Sequence, residues 1–275
     1  MSKVWFITGS SRGLGLAIAE AALKTGASVI ATARKPEQLN HLVEKYGSDK
    51  VFPIALDVTS NDDALKAVKA GHEKFGRIDI VVNNAGYADV AAVEDISIES
   101  FRTQIETNYL GVVYVTKAVL PILRKQGSGH IFQVSSIGGR MGSPGLSAYQ
   151  SAKWAIGGFS GVLALEVAPL GIKVTVIEPG GMNTDWAGSS MKIPPISGPY
   201  QQTISPFVEL RKAKLSEGWS PAENVAGVVV KLSETENPPV RILVGEDAVM
   251  YGGIVAESLA ESDKKWREVS LFKTV

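Results

Sequence analysis

Short apolar runs rich in Val and Ile recur along the chain, and longer stretches of helical periodicity separate them. Residues 4–8, 28–33, 51–55, 78–83, 130–135, 173–178 and 240–244 read as seven strands. Most have no polar alternate face, as expected where helices cover both sides of a parallel sheet, and the intervening stretches 13–24 and 61–75 are long enough for crossover helices. The pattern predicts a single α/β domain built on a doubly wound parallel sheet. Two longer helical stretches, 97–125 and 147–169, carry wide Val, Leu and Ala faces. Such faces can pack on the sheet and still leave surface for a second copy, so a helix-mediated homodimer is one expectation.

The rhythm breaks over residues 182–220. Pro194, Pro195, Pro199 and Pro206, with Pro221 at the edge, interrupt a stretch in which Trp186, Met191, Tyr200, Phe207 and Trp219 stand among polar residues. A loop this long inside a compact domain is usually a functional cover, and it is read here as a substrate lid. Beyond the last strand, a C-terminal extension of about 246–275 contains an expected helix at 254–269.

Composition narrows the chemistry. The chain has 275 residues, with 28 Lys plus Arg against 28 Asp plus Glu, so no basic field draws it to nucleic acid or to an anionic membrane surface. The absence of cysteine excludes disulfides, thiolate nucleophiles and cysteine zinc sites. With strand character starting at residue 4 and no apolar run approaching the ~18 residues of a membrane span, a cytoplasmic protein without membrane insertion is expected. His41, His72 and His130 lack metal-like spacing and are read as surface residues with no catalytic role.

The first strand runs through Thr8-Gly9-Ser10-Ser11-Arg12-Gly13-Leu14-Gly15 into the first helix. Glycines allow positive φ and close backbone approach, and a helix N-terminus attracts phosphate through its free N–H groups and dipole. The unit therefore reads as a dinucleotide site, although Ile18 stands where the last glycine of G-x-G-x-x-G falls. Farther on, Tyr149 and Lys153 share one helix face, behind a strand whose carboxyl end carries Ser136. Ligands of open α/β sheets collect at those carboxyl ends.

With these motifs the chain resembles the short-chain dehydrogenase/reductase family over about residues 3–245. The matching positions are Gly9, Gly13 and Gly15 of the glycine loop, Asn83-Asn84-Ala85-Gly86 after the fourth strand, and the tetrad Asn108, Ser136, Tyr149 and Lys153. Pro179-Gly180 and Thr184 follow the sixth strand. The resemblance implies a Rossmann-type sheet and nicotinamide-dependent carbonyl or alcohol chemistry. It also implies that Lys153 holds the nicotinamide ribose, that Asn108 orders a water leading to Lys153, and that Thr184 meets the carboxamide. The tail from Pro238 to Ala248 is similar to the steroid- and retinol-dehydrogenase-like branch, which leaves monomer or dimer rather than tetramer.

Side-chain chemistry agrees. Hydride delivery to a carbonyl leaves an alkoxide that needs a proton donor, and a phenol of pKa ~10 is sluggish near neutrality unless a cation such as Lys153 favours its phenolate. Ser136 can donate to the developing oxyanion. Ser135 points to the opposite side of the strand, and the family spacing of twelve residues between serine and tyrosine selects Ser136. For Asn108 the residue alone also fits a core amide that kinks its helix.

At the end of the second strand Arg34 stands where an acidic residue would accept from the ribose of NAD. Arginine there, with Arg12 in the loop, suits the 2′-phosphate of NADP(H). Asp57-Val58 resembles the family's adenine-contacting motif, and Asp57 equally suits a cap for the following helix. The further cofactor positions are Ser11, Leu14, Asn84, Ala85, Gly86, Pro179 and Gly180. Gly138, Met141, Leu146, Met182 and Trp186 are read as an apolar pocket for a hydrophobic ketone, aldehyde or alcohol. Two other readings stay open: an NADPH-binding regulator or scaffold without turnover, and an NADPH-dependent cyclase or epimerase.

Overall fold

The computed structural model describes residues 2–183, 191–217 and 220–272. Among these the strands are β1 (Val4–Ile7), β2 (Ser28–Ala33), β3 (Val51–Ala55), β4 (Ile80–Asn83), β5 (Gly129–Val134), β6 (Ile172–Pro179), β7 (Met182–Asn183), β8 (Ser220–Pro221) and β9 (Arg241–Val244). All but β7 and β8 lie in one parallel sheet, ordered β3-β2-β1-β4-β5-β6-β9, while β7 and β8 pair with each other. The order reverses between β1 and β4, which opens a crevice at the carboxyl ends of those strands. The helices are α1 (Gly13–Lys24), α2 (Asn40–Tyr46), α3 (Asn61–Phe75), α4 (Ile98–Ile105), α5 (Gly111–Gln126), α6 (Ser147–Val167), α7 (Gln201–Glu217), α8 (Ala222–Ser233), α9 (Glu246–Lys265) and α10 (Arg267–Ser270).

Strand periodicity distributes the apolar residues between two cores. Trp5, Ile7, Ile80, Val82, Phe132 and Val134 face one side, with Leu14 and Ile18 of α1 and Val225 and Val229 of α8. Val4, Phe6, Val81 and Ile131 face the other, with Val68 of α3, Val115 and Val119 of α5, and Leu163 of α6. The seven expected strands are all present, and the near-continuous burial of β1, β2 and β4 accounts for their lack of alternation. Ile18, fully buried, explains the departure from the glycine fingerprint: the position packs core instead of admitting a close backbone. α3 starts where Ser60 Oγ accepts from the Asp63 N–H at 3.1 Å and stops at Gly76, which is left-handed with φ 74°.

The structure departs from the sequence expectations at four places. The stretch 97–125 is not one α-helix: a π-helical turn, Glu106–Leu110, separates α4 from α5 and carries Asn108. The expected lid loop contains α7 with Pro206 inside it. Burial of Ile204 and Val208 against Ala88, Val90 and Leu146 outweighs the local disfavour of the proline. The terminal helix begins at Glu246 rather than 254, because Gly245 (φ 109°) turns the chain and Glu246 and Asp247 suit the first turn of α9.

The fourth departure concerns histidine. His41 is exposed and His72 half-buried, but His130 is buried in β5, between β4 and β6, where both faces of the sheet are covered. Its Nε2 lies 2.9 Å from Thr175 Oγ1, whose hydroxyl donates to Pro239 O at 2.8 Å, so Nε2 carries the hydrogen. Burial, with Lys173 and Lys3 adding to it, pushes the imidazole down to about 3.

Candidate active site

The loop after β1 is fastened to both neighbouring strands. Ser10 N–H donates to Thr32 O at 2.9 Å, and Ser10 Oγ donates to Ile7 O at 2.8 Å. On the other side Thr8 Oγ1 accepts from the N–H groups of Asn84 and Ala85 at 2.9 and 3.0 Å, while Asn84 Nδ2 donates to Thr8 O at 2.9 Å. Gly9 turns at φ 68°, which only glycine adopts readily, and Gly15 passes so close that a Cβ there would lie 2.1 Å from Gly9 O. No side chain caps the first turn of α1 at Arg12, so its N–H groups remain available to an anion. This cradle fits a dinucleotide pyrophosphate. Around it Arg12 and Arg34 are exposed, Ser11 and Gly13 partly exposed, and Leu14 buried in the core.

Burial raises the Tyr87 phenol above its ordinary range, Asp89 adds to the rise, and Arg34 opposes it. Val58 is buried against Gly111, and Asp57 Oδ1 accepts from Thr59 N–H at 3.0 Å and Thr59 Oγ1 at 2.7 Å. Asp57 thus closes its own turn, and the cap of α3 belongs to Ser60. Gly180 N–H donates to Val244 O at 3.1 Å, and Asp247 of α9 accepts from Gly181 N–H at 2.7 Å, which latches the turn after Pro179.

Ser136, Tyr149 and Lys153 meet at the carboxyl end of β5. Ser136 Oγ accepts from Gly138 N–H at 3.0 Å and is hydrogen-bonded to the Tyr149 phenol. Lys153 Nζ donates to Val134 O at 2.8 Å and lies 5.5 Å from the centre of the Tyr149 ring. Ser135, turned the other way, donates to Lys153 O at 3.1 Å, and a Cβ on Gly139 would come within 2.9 Å of the same carbonyl. The serine loop therefore seats directly on α6. Burial pushes Tyr149 up to about 12, against the Ser136 hydrogen bond and Arg211, which lower it; burial alone brings Lys153 down to about 7. Burial of the phenol thus outweighs the two influences that favour its phenolate.

Asn108 is fully buried and its amide is occupied. Nδ2 donates to Tyr87 O and Gln104 O, both at 2.9 Å, and Oδ1 accepts from Tyr87 N–H at 3.1 Å. Of the two sequence readings this matches the core amide in a distorted helix, yet the residue still adjoins the centre. A Cβ on Gly86 would lie 2.5 Å from Asn108 Oδ1 and 3.7 Å from Lys153 Nζ.

Next to Tyr149 an apolar wall gathers Ala88, Val90, Leu146, Ile204 and Val208, with Met191 and Phe207 at its edge. Hydrogen bonds hold the covering segment to the loop after β4: Val90 N–H to Lys192 O at 2.9 Å, Lys192 N–H to Asp89 Oδ1 at 3.1 Å, and Tyr200 Oη to Glu94 Oε2 at 2.7 Å. Of the pocket residues read from sequence, Leu146 joins this wall. Gly138 is buried behind Ser136, Met141 is half-buried, and Met182 packs on the larger core with α8. Thr184, Trp186 and Trp219 lie outside the described residues. The sequence did not reveal Arg211 of α7, half-buried, with its guanidinium carbon 5.7 Å from the Phe207 ring centre. It also missed Glu178, fully buried between Arg140 and Arg241, with Nε distances of 2.8 and 3.0 Å.

A doubly wound parallel sheet with a glycine-loop anion cradle and a serine–tyrosine pair beside a buried lysine defines the class of protein. The chain belongs to the short chain dehydrogenase family, a family of oxidoreductases, whose pattern matches residues 3–193. It is 67% identical to the oxidoreductase BOA17 of Botryotinia fuckeliana over 272 residues, 98% of this chain and 99% of that one. A solved short-chain dehydrogenase from Streptomyces avermitilis superposes with a TM-score of 0.91 at 34% identity, covering 98% of this chain and 97% of that one. An alcohol dehydrogenase of Thermococcus sibiricus complexed with 5-hydroxy-NADP has a TM-score of 0.74 at 27% identity, covering 89% and 96%. A 3-ketoacyl-(acyl-carrier-protein) reductase of Brucella melitensis complexed with NADH has the same score at 25% identity, covering 88% and 96%. No helix among the described residues is long and apolar enough to cross a membrane.

Proposed function

We propose that the protein is an NADP(H)-dependent oxidoreductase that interconverts a hydrophobic ketone or aldehyde and its alcohol. The observation that carries this reading is the hydrogen-bonded Ser136–Tyr149 pair beside buried Lys153, two strands along the sheet from the glycine cradle. Gly9, Ser11, Arg12, Gly13, Leu14 and Gly15 would hold the pyrophosphate side of the cofactor, Asp57 and Val58 the adenine side, and Asn84, Ala85, Gly86, Pro179, Gly180 and Thr184 the nicotinamide side. Bound NADP(H) supplies or accepts the hydride. In reduction the carbonyl oxygen accepts hydrogen bonds from Ser136 Oγ and Tyr149 Oη, and the phenol proton passes to that oxygen as the alcohol forms. Lys153, brought near neutrality by burial, can return a proton to Tyr149.

Preference for NADPH follows from charge: Arg34 and Arg12 are exposed cations at the end of β2 and in the loop, suited to a 2′-phosphate. Relatives in fold carry either 5-hydroxy-NADP or NADH, so the arginines and not the fold support the choice. Independently of the cofactor, the exposed Trp154, Val162 and Leu165 on the outer face of α6 support a helix-mediated homodimer as the alternative to a monomer. A monomeric mass by light scattering at micromolar concentration would remove the dimer.

The test is NADPH oxidation across a panel of hydrophobic ketones and aldehydes, with Tyr149→Phe beside the parent. Turnover of at least one member, reduced by ~10² or more in the variant, is expected. Turnover indifferent to Tyr149→Phe contradicts the mechanism, and tight NADPH binding without turnover of any member favours the regulator reading.

A further inference from the structure

β6 and β9 run side by side to the carboxyl edge of the sheet, where Pro179 is the register partner of Val244 and Gly180 N–H donates to Val244 O at 3.1 Å. There the two segments part. Gly245, at φ 109°, turns one into α9, while Gly180 and Gly181 carry the other to β7, which pairs with β8. Two successive glycines are the most permissive backbone a chain can have, so a fixed course through them needs a partner from outside. Asp247 is that partner. Its Oδ2 accepts from Gly181 N–H at 2.7 Å, and its Oδ1 from Ala248 N–H at 2.9 Å. A Cβ on Gly180 would overlap the carboxylate, and one on Gly245 would lie 3.0 Å from Oδ1, so both turns are shaped around this side chain. A carboxylate needed only by the first turn of its own helix has no use for Gly181, 66 residues earlier in the chain. α9 also lies against Ile137–Gly139, the turn behind Ser136.

We propose that Asp247 is a positioning residue for the nicotinamide end of the cofactor, acting through the backbone of Gly180 and Gly181. The proposal rests on the reading of Pro179 and Gly180 as nicotinamide-side residues. The family pattern matches residues 3–193, so the helix that supplies Asp247 lies outside it. A hydrogen bond from a backbone N–H to a carboxylate is roughly twice as strong as a neutral one. It holds the glycine turn in place before the cofactor arrives, so the cost of ordering that turn falls on folding and not on binding.

The test measures binding, without turnover, of two ligands by calorimetry: NADPH, and 2′,5′-ADP, which has the adenosine and its phosphates but no nicotinamide. Parent protein, Asp247→Ala and Asp247→Asn are run together. Asp247→Ala is expected to weaken NADPH about tenfold and to leave 2′,5′-ADP binding unchanged, which also shows that the variant is folded. Asp247→Asn should recover part of the NADPH affinity, because its amide oxygen still accepts from Gly181 N–H. Equal losses for both ligands in Asp247→Ala would mean that Asp247 only supports the fold, and they overturn the proposal. So does a variant that binds NADPH as tightly as the parent. A parent protein that takes up no NADPH overturns the cofactor reading, and the proposal falls with it.

Discussion

Tyr149 and Lys153 are both driven toward their neutral forms by burial, the phenol up to about 12 and the ammonium down to about 7. For reduction this assigns the two groups different limits. The phenol keeps its proton throughout the working range, whereas the lysine loses its charge as pH rises through about 7. The expected kcat/KM for ketone reduction is therefore highest on the acid side and declines above pH 7, with the falling limb moved upward in Lys153→Arg. A flat profile between pH 6 and 9 would show that the charge of Lys153 does not matter. At the cofactor end, Arg34→Ala should weaken NADPH by roughly ten- to a hundredfold while sparing NADH, as read by fluorescence titration. Equal losses for both cofactors remove Arg34 from the 2′-phosphate. Tyr149, Lys153 and Ser136 were legible in the sequence because their relation is local: one helix face and the end of the strand before it. Arg211 was not, because recognising it requires α7, and the prolines around that segment mask its helical periodicity. The occupied amide of Asn108 was equally hidden, since its partners Tyr87 and Gln104 are set by a π turn that no apolar pattern announces.

Among elements, the β1–α1 unit shows how little space the cofactor cradle leaves. Gly15→Ala would place a methyl group 2.1 Å from Gly9 O and 2.5 Å from Asn84 Nδ2, so the backbone of the loop must shift. The expected result is about 1–3 kcal/mol of lost stability with weakened NADPH binding, read by denaturant titration and fluorescence. A variant that binds as the parent does would mean that the loop yields freely. In β5 the burial of His130 links the sheet to pH. Its folded value of about 3 lies below the ordinary 6.5, so its contribution to stability is complete above about pH 6.5 and is lost as pH falls toward 3. Between pH 6.5 and 5 this amounts to about 2 kcal/mol, and His130→Gln should flatten the stability profile by that amount. An unchanged slope in the variant would place the titration elsewhere. The strands themselves were legible to within a residue or two, since burial on both faces leaves uninterrupted apolar runs. The same rule conceals an exception: a lone histidine in such a run is as covered as its neighbours, with its Nε2 bonded to Thr175 and its buried Nδ1 unpaired.

At the scale of the molecule, the sheet carries the cradle and the Ser136–Tyr149–Lys153 centre on one edge, and a buried carboxylate joins the far parts. Glu178 of β6 holds Arg140, which follows the serine loop, and Arg241 of β9. Breaking a buried ion network leaves uncompensated charge, and Glu178→Gln should lower stability by about 3 kcal/mol. The lower end of the usual range applies because the two arginine side chains keep 29% and 37% exposure. Calorimetric stability within 0.5 kcal/mol of the parent, on the order of an ordinary surface change, would deny the network that part. The central claim is that proton donation by Tyr149 completes hydride transfer to a carbonyl bound at this edge. Its most direct test follows deuterium from NADPH carrying deuterium at both C4 positions into the product alcohol by mass spectrometry, with parent and Tyr149→Phe each given a hydrophobic ketone and an aldehyde. The account predicts one deuterium at the carbinol carbon with the parent protein and a yield lower by ~10² or more with Tyr149→Phe at equal cofactor occupancy. Equal labelled yield from both proteins, or product without label, would contradict it.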